Sequence, residues 1–306
     1  MRGLTHGVGM QPPNERARGV LKDFWFTLKQ TFWAWNDHEA PRLGAALSFY
    51  TMLSLAPLVI LVIAIASVVF GHSAAQNEII RQVQGIMGTE GAKAVETVIE
   101  HGQKPTGVLA SVIGAITLLL GASGAFSELQ SALNKIWDVQ PKAGSGVASL
   151  IKARLFSFGM VLAVGFLLLV SLVITAGLAV LGKFFDKILP MPELLMHTIN
   201  FVVSFAGISA LFALIFKHVP EANIKWKDVW EGAIATALLF TIGKSLIGLY
   251  LGKAAVGSAY GAAGSLIVVI VWVYYSALIF FFGAEFAHVR ATVRQSAHAG
   301  KASAVH

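Results

Sequence analysis

From Leu43 to Gly71 the chain carries no Asp, Glu, Lys or Arg, and this run constrains its fold more than any other feature. An α-helix rises about 1.5 Å per residue, so such a run crosses the roughly 30 Å of bilayer hydrocarbon with length to spare. Composition extends the point to the whole chain. Of 306 residues, 56% are hydrophobic and 13% charged, where a soluble domain carries about 25% charged. In lipid, only helices and closed barrels pair every backbone polar group. The apolar runs are continuous rather than alternating, which excludes a barrel. The first run begins too late, and is too long, for the apolar region of a cleavable signal, so it reads as a retained anchor.

The expected fold is an all-α integral membrane protein with six transmembrane helices. The spans fall near 43–70, 106–127, 155–181, 194–216, 230–252 and 262–284, within a single membrane domain over 15–292. Residues 1–14 read as a disordered N-terminus and 293–306 as a flexible cytoplasmic tail. Leu21, Phe24, Trp25, Leu28, Phe32 and Trp35 recur at steps of three and four, which puts one apolar stripe on a helix. Arg18, Lys22 and Lys29 edge that stripe, while Asp23, Thr27, Gln30 and Ala34 lie opposite. This pattern suits an amphipathic helix in the headgroup region, and the alternative is a helix packed on the bundle. After the first span, residues 76–103 place Ile79, Ile80, Val83, Ile86 and Met87 on one face, and Val95, Val98 and Ile99 on another. Two short amphipathic helices joined around Gly88 are expected to form a small extracytoplasmic hairpin, an outer cap over 76–103. Helices this short need a surface to pack on.

Loop charge sets orientation, because Lys and Arg accumulate on cytoplasmic loops. The N-terminal arm (Arg16, Arg18, Lys22, Lys29, Arg42), the 128–154 loop, the 217–228 loop and the tail are basic. The segment between Gly71 and Pro105 instead carries three basic residues against four acidic ones, Glu78, Glu90, Glu96 and Glu100. The alternation predicts both termini in the cytoplasm. It also accounts for the net charge of +7 without a nucleic-acid partner.

Chemistry is sparse. With no cysteine, disulfides, thiolate metal sites and cysteine nucleophiles are excluded. The nine histidines are scattered, without an HxH or HExxH spacing. Asp37-His38-Glu39 places an imidazole between two acids just before the first span. Sequence neighbours on a helix point in different directions, so the cluster reads as a polar hinge rather than a metal or catalytic site. Pro41 suits the first turn of the helix that follows. No catalytic residue, metal site or cofactor is expected, and the chain does not read as an enzyme.

Charged groups inside a membrane are costly and often functional. Lys244 is the clear case, about 18 Å along its span from Gly232. It either snorkels to the outer headgroups or stands in a wet cavity that attracts an anion. No acidic residue lies deep in a span, and Glu285 and Glu128 sit at inner boundaries. Arg290 or loop lysines are the expected partners of Glu285. Pro57 interrupts the first span and frees a carbonyl there. Ser48, Tyr50, Asn200, Tyr274 and Tyr275, with Lys244, Pro57 and Glu285, are the candidates for a substrate path. Small residues at a spacing of four, Gly44 with Ser48, Ser127 with Ser131, Gly248 with Gly252, and Gly261, are candidates for close helix packing.

Three stretches together resemble one family. "AALSFYTMLSLAPL" (45–58), "SALNKIWDV" (131–139) and "YGAAGSLIVVIVWVYYSALIFFFGAEF" (260–286) are similar to the YihY/BrkB family of bacterial inner-membrane proteins. The resemblance covers about residues 25–292 and implies six spans, an extracytoplasmic insert and an inner-membrane location. Family members have carried the labels "virulence factor BrkB" and "ribonuclease BN". Zinc-dependent hydrolysis needs a convergent His/Asp cluster that the sequence does not offer, so a tRNA-processing role is disfavoured. The expected function is transport or translocation of an anionic or amphipathic solute, a lipid included, with membrane lipids as partners. The alternative is a non-transporting envelope scaffold or assembly factor. Oligomeric state is not legible.

The orientation is directly testable, because the chain has no native cysteine. Glu100→Cys should react with a membrane-impermeant maleimide on intact cells, and Lys225→Cys only after the membrane is opened. The opposite labelling would reverse the topology.

Overall fold

The computed structural model describes residues 13–102, 108–139, 193–253 and 264–303. Every element in these stretches is helical. They are α1 (Pro13–Asp37), α2 (Ala40–Phe70), α3 (His72–Gly102), α4 (Val108–Ile136), α5 (Glu193–His218), α6 (Trp226–Lys253) and α7 (Gly264–Ser303). Five contain stretches long and apolar enough to cross a membrane: Ala40–Val68, Val112–Ile136, Phe201–His218, Trp226–Tyr250 and Leu266–Ser296. Residues 1–12 and the span expected at 155–181 lie outside the described residues.

Much apolar side-chain surface points outward, including Leu120 at 63%, Leu246 at 57% and Leu249 at 59% exposure. In water this would be untenable, whereas in lipid it is the ordinary state of a span. Hydrocarbon outside the bundle is as apolar as leucine, so association rests on close van der Waals packing. Glycines provide it. On α4, Gly121 and Gly124 lie so close to α2 that an added Cβ would crowd Ser54 and the Tyr50 ring. Gly232 and Gly283, on the facing sides of α6 and α7, are crowded by Ala287 and Thr236 respectively. Gly44 brings α2 onto α7, where a Cβ would lie 3.3 Å from Leu278 Cδ2 and 3.5 Å from the Tyr274 ring. Of the serines expected to pack, Ser127 and Ser131 are exposed. The neighbouring glycines take that role because only they let the backbones meet.

The main core lies towards the end of the bundle where α1 meets α2, here termed the terminal face. Leu133, Ile136, Phe216, Val229, Phe281 and Ala284 are its buried centre, and Phe212, Phe216 and Phe280 contact ring to ring at 5.0–6.4 Å. Several hydroxyl groups in the spans are spent on their own helices. Ser48 donates to Gly44 O at 2.7 Å, Thr51 to Leu47 O at 2.8 Å and Thr236 to Gly232 O at 2.7 Å.

Helix α1 packs on α7 through its small polar side. Thr27 and Thr31 are 2% and 0% exposed, whereas Trp25, Phe26, Phe32 and Trp33 are each more than half exposed. Phe24 meets Phe286 edge-on, and the Trp35 indole donates to Leu278 O at 3.3 Å. The helix therefore both packs on the bundle and turns aromatics outward, combining the two alternatives. An outward aromatic face beside Lys29 matches a headgroup environment.

Segment α3 departs from the expected cap. It breaks at Gly88, the glycine singled out in the sequence, with φ 77° and ψ −174°. Its two arms do not sit above the bundle. Ile79, Ile80, Val83, Val95 and Ile99 pack along Leu55, Val59 and Ile63 of α2. Nearer the break, Met87 and Ala94 join Met52 of α2 with Val269, Trp272 and Val273 of α7. Met52 is about 18 Å along α2 from Ala40, so the tip sinks to the middle of the spans. Physically, an apolar face that continues over both arms needs an equally continuous apolar wall, and α2 supplies one. The result is a hairpin laid along the bundle. Ile86, expected on the apolar face, instead points outward at 42% exposure.

The last helix also differs from expectation. It runs unbroken to Ser303, through part of the stretch expected to be flexible. Ion pairs explain the continuation: Arg290 Nε donates to Glu231 at 2.9 Å, and Arg294 engages Asp228 at 2.6 Å as well as Glu231.

Two glycine substitutions test these contacts. Gly283→Val should destabilise the bundle by about 1–3 kcal/mol through overpacking against Thr236, whereas Gly114→Ala, which meets open space, should be neutral or mildly stabilising in thermal unfolding. Gly88→Ala should raise hydrogen exchange across the hairpin, because its dihedrals fall in a region essentially restricted to glycine and cost a side chain about 1–3 kcal/mol.

Candidate functional site

Where the hairpin tip meets α6, a cleft of about 420 Å³ opens. Gln84, Gly85 and Gly88 line it from the hairpin; Lys244, Ser245 and Gly248 line it from α6. Ile86 and Leu249 provide apolar walls. Gly88 and Gly248 face each other across its floor, where a Cβ on Gly88 would stand 4.0 Å from Gly248 Cα. Gly248, a candidate for helix packing, thus borders open space instead. Among the described residues Lys244 makes no ion pair. The cleft therefore combines a cation, an amide and a hydroxyl with apolar walls. That set suits an anionic or amphipathic group.

The other path candidates do not converge on this cleft. Ser48 is buried and bonded within α2, and Tyr50 lies over Gly124. Tyr274 covers Gly44. Tyr275 packs on Ile247 and Val268, next to Gly243 on the α6 face. Pro57 lies within α2. Asn200 belongs to α5, but its side chain, the surroundings of Gly252, and Gly261 lie outside the described residues.

Glu285 belongs to a separate locus on the terminal face. It is 0% exposed, and its Oε1 lies 2.6 Å from His38 Nδ1. This corrects the expected pairing with Arg290 or loop lysines. Arg290 is spent on Glu231, and Lys135 on Glu39 at 2.8 Å. It also corrects the reading of His38 as a hinge residue without partners. The α1–α2 turn aims the ring inward because Glu39 adopts a left-handed conformation, with φ 57°. Asp138, at the end of α4 and likewise left-handed with φ 51°, approaches from the other side. Its Oδ1 is 3.9 Å from His38 Nε2 and its Oδ2 is 3.5 Å from His288 Nε2. The Trp137 ring meets His288 edge-on at 5.1 Å. Outside the spans, the Lys135 ammonium and then Arg42 hold the Glu39 carboxyl below the usual carboxylate range.

Sequence reasoning missed this grouping because His38 and Glu285 are 247 positions apart. The available signal was a boundary carboxylate with no Lys or Arg one turn away on its own helix. Among the described residues, no three His, Asp or Glu side chains are arranged to hold a metal ion. His38 Nδ1 already serves Glu285, and the Nε2 atoms of His38 and His288 approach different oxygens of Asp138.

Comparison with known proteins supplies the wider context. The profile of the family described as "Virulence factor BrkB" matches residues 31–305. A "UPF0761 membrane protein" from Verminephrobacter eiseniae is 28% identical over 288 residues, covering 88% of this chain and 64% of the relative. One from Pseudomonas aeruginosa is 27% identical over 248 residues, 80% of this chain and 58% of its own length. The chain thus spans less than two thirds of these relatives. The ribonuclease-like protein YfkH of Bacillus subtilis is 23% identical over 264 residues, covering 84% of this chain and 92% of its own. No solved structure matches. Family profile and relatives agree with the helical membrane architecture, and the chain belongs to the BrkB family of membrane proteins.

Proposed function

We propose that this protein moves an anionic or amphipathic solute, with phospholipid the leading candidate, through the bacterial inner membrane, both termini lying in the cytoplasm. The observation carrying this reading is the position of Gly88: a broken helix whose tip sits at mid-span depth beside Lys244. Irregular backbone at that depth is tolerated where it is buried in protein or lines a cavity. Transporters commonly place binding sites at the membrane midplane where helices are discontinuous. Lys244 attracts the anionic group, Gln84 and Ser245 orient it, and the apolar walls accept hydrocarbon. The chain does no covalent chemistry in this reading.

Two features limit the rivals. The ribonuclease-like name of the Bacillus relative raises nucleic-acid hydrolysis. Neither the Lys244 cleft nor the His38–Glu285 locus gathers the stacking aromatics and basic groove by which proteins hold single-stranded RNA. A scaffold role finds its support in the outward aromatics of α1, although that face is equally suited to headgroups.

Protein reconstituted in nanodiscs of mixed anionic and zwitterionic phospholipid, analysed by native mass spectrometry, tests the proposal. Wild type and Lys244→Arg should retain anionic lipid. Lys244→Glu should lose retention by roughly tenfold or more, the loss of one charge-assisted hydrogen bond of about 1.5–3 kcal/mol. In liposomes, trans-bilayer movement of a fluorescent anionic phospholipid should fall in parallel. Unchanged retention and movement in Lys244→Glu would rule out this role for the lysine.

A further inference from the structure

The terminal-face locus has an unusual charge balance. Glu285, at 0% exposure, is the most deeply buried carboxylate of the described residues, and its second oxygen, Oε2, has no hydrogen-bond partner. An ionised carboxylate so placed needs a compensating charge. The fixed cations nearby are already engaged: Lys135 and Arg42 by Glu39, Arg290 by Glu231, and Arg294 by Asp228 and Glu231. From α1–α2 the group facing Glu285 is His38 and from the α4 end it is Asp138, while His288 of α7 faces Asp138. Only a proton, on Glu285 or on one of these imidazoles, can neutralise it.

The geometry also provides a route. His38 is a two-ended carrier, with Nδ1 on Glu285 at 2.6 Å and Nε2 turned towards Asp138 at 3.9 Å. The Asp138 side chain is 73% exposed. Both non-glycine residues with positive φ among the described residues belong to this route: Asp138, and Glu39 next to His38. Strained backbone of this kind persists where the surrounding structure holds it, and it clusters at functional positions.

We infer that Asp138, His38 and Glu285 form a proton relay, and that Glu285 is a proton-binding site loaded from the terminal face. A proton from water is delivered through the Asp138 carboxylate to His38 Nε2, where the new N–H bond forms. The Nδ1–H bond breaks and its proton passes to Glu285 Oε1, leaving a neutral imidazole protonated on Nε2. The ring resets by exchange with water, which takes the Nε2 proton and returns one to Nδ1, a step with no net proton transfer. The net change is one proton moved from water to one buried carboxylate. His288, 3.5 Å from the other oxygen of Asp138, competes for the same incoming proton and tunes the relay. The site stands apart from the Lys244 cleft, requires no transported substrate, and is read from the protein's own carboxyl groups.

Infrared difference spectroscopy of the full chain in nanodiscs, titrated between about pH 5 and 8 where imidazoles exchange protons, decides the matter. Wild type should develop the C=O stretch of a protonated, water-excluded carboxyl, and Glu285→Gln should lose that band. His38→Gln keeps a donor near Glu285 but cannot relay, so it should displace the band's midpoint by more than about one pH unit. Should Glu285→Gln not assemble, Glu285→Asp must shift the band's frequency. Absence of the band in wild type, its persistence in Glu285→Gln, an unmoved frequency in Glu285→Asp, or an unmoved midpoint in His38→Gln would each overturn the inference.

Discussion

Hydrocarbon cannot pair a backbone N–H or C=O, and this single constraint governs how the chain is laid out. Within a span the only economical solution is an uninterrupted helix. Serine and threonine hydroxyls obey the same rule, which is why Ser48, Thr51 and Thr236 donate to carbonyls one turn back rather than across the bundle. Departures from helix geometry are therefore informative. Among the described residues, the left-handed Glu39 and Asp138 mark helix ends on the terminal face, where water can assist. Gly88 is different: its half-buried break adjoins Met87, which packs on Met52 and Trp272 along the spans.

Two packing regimes follow. Along the spans, glycine lets helices approach until backbone meets side chain, as at Gly121 against Ser54 and Gly283 against Thr236. At the terminal face, charge takes over. Asp228 and Glu231 at the start of α6 hold Arg290 and Arg294 of α7, and Glu39 holds Lys135. Exposed ion pairs are individually weak. Asp228, however, is 4% exposed, so its arginine is shielded from much of that screening. The bundle is consequently tied at one end and opens, near Lys244, towards the other.

Five of the six expected spans were legible in the sequence, because charge-free length is a one-dimensional property. The same holds for the glycine at the hairpin break, since a residue between two apolar faces of different phase must be a turn. The depth of that hairpin was not legible. Periodicity reports which side of a helix is apolar, not whether its partner is a headgroup layer or another helix. Small-residue spacing pointed to Ser127 and Ser131 when Gly121 and Gly124 make the contact, because a period of four fits several faces of a glycine-rich helix. The His38–Glu285 pair was invisible for a topological reason: its members come together only after the intervening chain has folded. Lys244, by contrast, announced itself as a lone cation in an apolar run, and it lies against an open cleft.

Helix α7 touches nearly every other described helix, and its 40 residues extend about 60 Å. A bilayer with its headgroups is about 40–45 Å thick, so part of α7 stands clear of the membrane. Its first turns form one wall of the hairpin nest at Val269 and Trp272, while its distal half carries Glu285 and the arginine ties. Mechanically this is a lever arm. Tilting such a rod by about ten degrees at its Gly264 end sweeps Ser303 through roughly 10 Å. A shift of about 1–2 Å where α7 meets the hairpin is thereby amplified roughly fivefold at its far end.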